Sequence, residues 1–219
     1  MWAIVVAAGS GSRFGGAKQF EPLGPGTVLD RSVAVARDAA DGVVVVVPPG
    51  RAVSPTLSLP EPTEAAEPAE VEGGATRSES VRRGLAVVPA EAEIVVVHDA
   101  ARPFATAELF AAVIAAVRGG ADGAVPGLPV TDTIKIVDDA MTVMTTPDRS
   151  TLVAVQTPQA FAARALRAAH TGAAEGTDDA ALVEACGGRV VVVPGEPDNR
   201  KLTVPEDLAW ARRRVEAGR

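Results

Sequence analysis

The chain has 219 residues, of which 47% are hydrophobic, 22% charged and 3% aromatic, with no tyrosine; this is globular composition, long enough for one sizeable α/β domain with its own core. A formal charge of −7 argues against broad nucleic-acid binding, which needs clustered positive charge along the phosphates, and leaves room for a small anionic ligand in a local basic pocket. The apolar runs fall far short of the roughly 20 residues of a membrane-spanning helix, and Met1 leads straight into an apolar strand without a basic leader, so a cytoplasmic location is expected.

The first expected strand, Ile4 to Ala7, runs directly into Gly9-Ser-Gly11-Ser-Arg13-Phe-Gly15-Gly-Ala-Lys18-Gln19. Glycines let backbone N–H groups approach phosphate oxygens, and Arg13 and Lys18 add charge to the same oxygens. The loop is not a Walker A motif, because Gln19 stands where Ser or Thr is needed, and Phe14 breaks the dinucleotide fingerprint, which disfavours a nicotinamide-dependent oxidoreductase. A plain strand-to-helix turn remains the alternative reading of these glycines.

A helix is expected over about Val28 to Ala40 and a buried strand over Val43 to Val47. Arg51 to Glu72 holds four prolines and five glutamates and no lysine, which reads as an exposed, dispensable connection. Glu72-Gly73-Gly74-Ala75-Thr76-Arg77-Ser78-Glu79-Ser80 then opens a helix to Val87, with Thr76 and Glu79 at capping-box spacing. A helix N-terminus of this kind offers free N–H groups to an anion, or is simply an ordinary cap.

The strand Ile94 to Val97 ends in His98-Asp99-Ala100-Ala101-Arg102-Pro103. Asp99 at a strand's carboxyl end suits Mg²⁺, which takes one or two carboxylates plus substrate phosphates, and Arg102 suits a phosphate; a cap with a salt-bridged arginine is the alternative. His98 lacks a second histidine at ligand spacing and reads as a hydrogen-bonded structural residue. A helix over Ala107 to Val117 and a strand over Ala124 to Pro126 follow.

Residues 131–156 alternate apolar and polar on both sides of Asp138-Asp139-Ala140, the pattern of a hairpin. A lone hairpin is marginal, so it must lie on this domain or on a second copy. Helices are expected at Ala162 to Ala169 and Asp178 to Cys186, with Asp178-Asp179 as cap and dipole compensation, His170 on the surface and the lone Cys186 in the core. The last strand, Val190 to Val193, leads to the polar turn Asp198-Asn199-Arg200-Lys201, and Pro205 opens a final helix to Glu216. Strands alternating with helices imply a doubly wound, mostly parallel sheet with its ligand at the strands' carboxyl ends.

Six segments in this order resemble the 2-C-methyl-D-erythritol 4-phosphate cytidylyltransferase family, over nearly the whole chain. They are the loop Ala7-Ala8-Gly9-x-Gly11-x-Arg13 with Lys18-Gln19, Gly73-Gly74 with Arg77 and Ser80-Val81, His98 to Pro103, Asp132-Thr133-Ile134-Lys135, Gln156-Thr157-Pro158-Gln159, and Asn199-x-Lys201-x-Thr203-x-Pro205-Glu206-Asp207-Leu208. The chain departs from the family pattern between Arg13 and Lys18, where the interval is short and Ala17 replaces a proline.

The resemblance implies a Rossmann-like nucleotidyltransferase domain over 1–219 with 131–156 as a dimerisation arm. CTP would be held by Ala7, Ala8, Gly9, Gly11, Ser12, Arg13 and Lys18 of the first loop, by Gly74, Ala75 and Ser80, and by Asp99, Ala100 and Lys201, with Mg²⁺ near Asp99. Asp99, Arg102, Thr133, Arg149 and Thr157 would bind the sugar-alcohol phosphate at a site shared across a homodimer. A phosphate oxygen of the acceptor would attack the α-phosphorus of CTP. That nucleophile is already largely dianionic near neutral pH, so no general base is required, and Arg13, Lys18 and Lys201 are the expected catalytic cations. A ribitol-5-phosphate cytidylyltransferase and a non-catalytic nucleotide-binding protein of the same fold are the alternatives.

Overall fold

The computed structural model of the chain describes residues 1–9, 11, 14–50 and 68–218; Ser12 and Arg13 lie outside them, as does most of the proline- and glutamate-rich connection. In chain order the strands are β1 Trp2–Val6, β2 Pro22–Leu23, β3 Gly26–Thr27, β4 Gly42–Val47, β5 Ala69–Glu72, β6 Ile94–Asp99, β7 Gly123–Pro129, β8 Ile136–Val137, β9 Val143–Thr145, β10 Val153–Val155, β11 Gln159–Ala162 and β12 Val190–Pro194. The α-helices are α1 Val28–Ala39, α2 Arg77–Val87, α3 Ala107–Arg118, α4 Ala163–Ala169, α5 Asp179–Ala185 and α6 Pro205–Glu216.

Eight strands form one sheet in the order β10-β7-β11-β6-β1-β4-β5, with β12 on β7. Pairings of β1 with β4 and β6, β4 with β5, and β7 with β12 are parallel, while β10 and β11 run antiparallel to their neighbours. The mostly parallel, doubly wound expectation is met. Valine-rich strands buried on both faces sort their side chains with a period of two. Ala3, Val5, Val43, Val45 and Val96 pack under α1 and α3, including Leu29, Val33, Phe110 and Val113. Ile4, Val44, Val46, Val95 and Val97 pack against Val81 and Leu85 of α2, Leu166 of α4 and Val183 of α5.

Three smaller features correct the sequence reading. The end of the expected connection, Ala69–Glu72, is the edge strand β5, with its residues alternating between half-buried and exposed. Cys186 is exposed, because it caps α5 from outside the core. His170 is buried, not on the surface.

The carboxyl ends of β1 and β6 lie side by side at the point where the chain winds to either side of β1, with β5 beyond β4 on the same edge. That crevice is where an open α/β sheet takes its ligand. The 131–156 segment leaves the same end of the sheet after β7, and it turns between β8 and β9 through Asp138, whose N–H donates to the Thr142 carbonyl. Its return strand β10 rejoins the main sheet beside β7.

Candidate active site

A cavity of about 520 Å³ opens at these strand ends, lined by Val6 to Gly9 and Gly11 after β1, Lys18 and Gln19, Gly74 to Arg77 and Ser80 at the start of α2, Asp99 to Ala101 after β6, and Lys201. Five separate stretches of sequence thus meet in one place. The glycine loop is tied into that wall by Gln19, a buried side chain whose amide donates to the carbonyls of Ala7 at 2.6 Å and Gly9 at 3.2 Å. Gly11 has a φ of +66°, and a Cβ there would lie 1.8 Å from the Gly16 carbonyl oxygen, so glycine is required.

The second glycine pair brings α2 against that loop. A Cβ on Gly73 would lie 2.2 Å from that of Ala8. The Gly74 N–H donates to Ser80 Oγ at 3.1 Å, and the Ala75 N–H donates to Glu79 Oε2 at 2.7 Å. Thr76 accepts from the Glu79 N–H at 3.1 Å, so the capping box is only half formed: the Glu79 carboxylate reaches past the cap to Ala75. The Ala75 N–H, with Arg83 beside it, holds Glu79 below the usual carboxylate range. Ser80 also donates to the Thr76 carbonyl at 2.8 Å; its hydroxyl shapes the turn.

Asp99 is the electrostatic centre of the cavity. Its Oδ2 accepts from Lys201 Nζ at 2.7 Å, and its Oδ1 lies 3.5 Å from Arg77 Nε. Burial by itself would raise the Asp99 carboxyl, but Arg77, Lys201 and Arg102 outweigh it and hold the group well below the ordinary carboxylate range. It is a fixed anion with cations on both sides. Arg77 in turn is lowered by burial and raised more strongly by Asp179 and Asp99, so it stays charged.

Behind Asp99 stands a hydrogen-bonded relay. The Asp99 N–H donates to Thr157 Oγ1 at 3.0 Å, Thr157 lies 3.1 Å from His98 Nδ1, and His98 Nε2 lies 3.2 Å from the Arg102 carbonyl. A carbonyl only accepts, so Nε2 carries the proton and Nδ1 accepts from the threonine hydroxyl. Burial pushes His98 down to about 4 against the opposing pull of Asp99. His98 is therefore a neutral, structural histidine.

The expected site residues divide into four groups. Ala7, Ala8, Gly9, Gly11, Lys18, Gly74, Ala75, Ser80, Asp99, Ala100 and Lys201 converge on the cavity, whereas Arg13 and Ser12 fall outside the described residues. Arg102 and Thr157 stand beside the cavity wall: Arg102 donates to the Asn199 carbonyl at 2.7 Å, and Thr157 is buried in the relay behind Asp99. Thr133 and Arg149 lie exposed on the arm, with Arg149 donating to the Thr131 carbonyl at 2.7 Å. Arg77, Gln19 and Thr76 stand in the sequence motifs without an assigned role in the site, and all three line the cavity. The place of Gln19 beside Lys18 in the glycine-loop motif was the available signal.

Known proteins resemble the chain over nearly its whole length. Residues 1–217 match the family model described as 2-C-methyl-D-erythritol 4-phosphate cytidylyltransferase, IspD. A 2-C-methyl-D-erythritol 4-phosphate cytidylyltransferase of Rhodococcus jostii is 47% identical over 222 residues, covering 99% of this chain and 95% of that protein. A bifunctional enzyme IspD/IspF of Nitratidesulfovibrio vulgaris is 44% identical over 223 residues, covering 95% of this chain but 56% of its own length; the chain spans about half the length of such bifunctional relatives. Among solved structures, the 2-C-methyl-D-erythritol 4-phosphate cytidylyltransferase of Thermus thermophilus superposes with a TM-score of 0.80 at 35% identity, covering 97% of this chain and 98% of that one. On that family match and on the 47% identity over nearly the full length of both chains, the chain belongs to the 2-C-methyl-D-erythritol 4-phosphate cytidylyltransferase (IspD) family.

Proposed function

We propose that the chain transfers CMP from CTP to 2-C-methyl-D-erythritol 4-phosphate, forming 4-diphosphocytidyl-2-C-methyl-D-erythritol and pyrophosphate for isoprenoid precursor synthesis. The observation that carries this reading is the convergence of Lys18, Arg77 and Lys201 with Asp99 around one cavity beside a glycine loop. Two polyanions must meet for a phosphate to attack a triphosphate. The barrier is their mutual repulsion and the charge building on pyrophosphate, which fixed cations relieve.

Lys18 and Lys201 are assigned to the triphosphate, together with Arg13 of the same loop. The acceptor phosphate brings its own negative oxygen, and His98, neutral and buried behind Asp99 with its one N–H turned to the Arg102 carbonyl, does not line the cavity. The chemistry fits a site without a general base.

One carboxylate at a triphosphate site is a donor set that suits Mg²⁺, whose remaining ligands would be phosphate oxygens and water. Asp99 would hold the ion once Lys201 turns from it toward phosphate. The ion would supply further charge neutralisation. Among the described residues there is no group of three or more His, Cys, Asp or Glu side chains placed to hold a metal ion.

The arm is assigned to a homodimer, in which Thr133 and Arg149 would join Arg102 and Thr157 around the acceptor. Ile136, Met141, Val143 and Met144 are 51%, 76%, 53% and 66% exposed, an apolar surface that pairing of two copies would cover. No described helix is long and apolar enough to cross a membrane, and the cytoplasm remains the proposed compartment.

The test is to supply purified protein with CTP, Mg²⁺ and either methylerythritol phosphate or ribitol phosphate, and to follow pyrophosphate release. Turnover with methylerythritol phosphate is expected. Faster turnover of ribitol phosphate would reassign the acceptor, and nucleotide binding without turnover of either would indicate a non-catalytic binder.

A further inference from the structure

A buried network lies beyond the cavity wall, outside the chemistry described above. The His170 side chain, at the C-terminal cap of α4, is 2% exposed, and its Nε2 lies 2.9 Å from Asp179 Oδ1. The Asp179 side chain, at the first residue of α5, is 0% exposed, and its Oδ2 accepts from Arg77 NH1 at 2.8 Å. Arg77, the first residue of α2, then presents its Nε edge to Asp99 at 3.5 Å.

The two carboxylates use different edges of one planar guanidinium, so rotation of the fork to improve one contact would weaken the other. An arginine side chain otherwise carries considerable rotamer freedom. Here that freedom is removed from behind. His170 is enclosed and can offer Asp179 only Nε2, which orients the carboxylate and leaves its second oxygen for Arg77. His170 Nδ1 is buried with no hydrogen-bond partner among the described residues, so the ring is held by its Asp179 contact and its packing. Capping of α5 needs none of this, because Asp178 supplies the cap by accepting from the Ala181 N–H at 2.9 Å.

We propose that His170 and Asp179 are positioning residues that set the Arg77 guanidinium against Asp99 in the cavity, linking the ends of α4 and α5 to the site. Its kinetic arm rests on the cytidylyltransferase reading; its structural arm does not.

The test uses two polar substitutions in the full chain that mimic different ring nitrogens. In His170→Gln the amide nitrogen falls near the place of Nε2 and can donate to Asp179; in His170→Asn it falls near Nδ1 and cannot reach. With melting curves to confirm folding, His170→Gln is expected to keep kcat/KM for CTP within about twofold, and His170→Asn to lower it about tenfold, the scale of a modest misplacement in a site. The side-chain Nε–H resonance of Arg77, assigned through its loss in Arg77→Lys, is expected to stay in place in His170→Gln and to shift or broaden in His170→Asn. Asp179→Asn, which keeps the carboxylate's size and removes its charge, should shift the same resonance, and it decides the matter if His170→Asn does not fold.

Equal behaviour of His170→Gln and His170→Asn, or an Arg77 resonance that stays in place in both His170→Asn and Asp179→Asn, would overturn the proposal. If the parent protein turns over no CTP with methylerythritol phosphate, the functional reading fails and the resonance alone decides the positioning.

Discussion

Lys201 and Asp99 hold one another at 2.7 Å, with the lysine side chain 41% exposed and the carboxylate 11%. The amine stands on the solvent side of the pair, and when it leaves, the buried carboxylate still faces the Arg77 guanidinium at 3.5 Å. In the proposed reaction Lys201 would exchange Asp99 for an incoming triphosphate, whereas Asp99 would keep Arg77. Lys201→Ala is expected to lower kcat by roughly 10²–10³-fold, the usual loss of one preorganised electrostatic donor, with a melting temperature close to the parent's. Pyrophosphate release and a thermal melt on the same preparation check it, and near-normal turnover would remove Lys201 from the chemistry. His98 gives the pH dependence of stability. Burial lowers it from 6.5 to about 4, with Asp99, Arg102 and Thr157 as its charged and polar neighbours. Between those two values the unfolded chain binds a proton that the native chain refuses, so stability rises with pH across the window and falls as pH drops from 6.5 toward 4. The gap is worth on the order of 3 kcal/mol at 1.36 kcal/mol per unit. Urea midpoints from pH 4 to 7 measure it, and a His98→Gln protein should show a flatter slope. At this scale the sequence was legible where a charge adjoins a strand end, as at Lys18, Asp99 and Lys201. It was not legible at His170 and Cys186, because burial there depends on how α4 and α5 pack, and the deciding partner Asp179 is far from the glycine and strand-end signals.

Among the elements, α2 shows how a turn is fastened to a neighbouring loop. Gly73 lies buried between the end of β5 and the cap at Thr76, and a methyl group there would fall 2.2 Å from Ala8 Cβ and 3.0 Å from Ser80 Oγ. Backbone and a short alanine cannot swing aside as a flexible side chain would. Gly73→Ala must therefore separate α2 from the glycine loop. Overpacking of this kind costs about 1–3 kcal/mol, and the expected result is a lower melting temperature together with weaker CTP binding, read by calorimetry with CTP alone. Unchanged CTP affinity would show that the two walls do not need this approach. The long strands and helices were legible because valine runs and helical periodicity are strong local signals. β5 was not, since Ala-Glu-Val-Glu within a proline- and glutamate-rich stretch resembles a loop until β4 pairs with it. β11 was missed for a related reason. Gln159-Ala-Phe-Ala162 has no β-branched residue, and only its place between β6 and β7 makes it a strand.

For the whole molecule the open question is what covers the arm. Its residues from Thr131 to Thr146 are exposed throughout, and a two-stranded hairpin is marginal in water. Either the arm is a strained appendage or it is half of an interface. The exposed apolar side chains lie on both strands and at the turn, where Met141 adopts a φ of 61°, and a rigid hairpin bearing such a surface gains most from a matching copy of itself, as in a two-fold, self-complementary contact. In the proposed homodimer the acceptor side of the site would depend on that pairing, because Thr133 and Arg149 stand on the arm and do not line the cavity of their own chain. Met144→Asp, placed on β9 away from the main sheet, is expected to shift the mass measured by light scattering from two chains toward one. It should raise KM for methylerythritol phosphate far more than it weakens CTP binding, since the nucleotide walls come from one chain. A protein that scatters as a monomer before the substitution, with full activity, would assign the acceptor contacts to a single chain and leave the arm without this role.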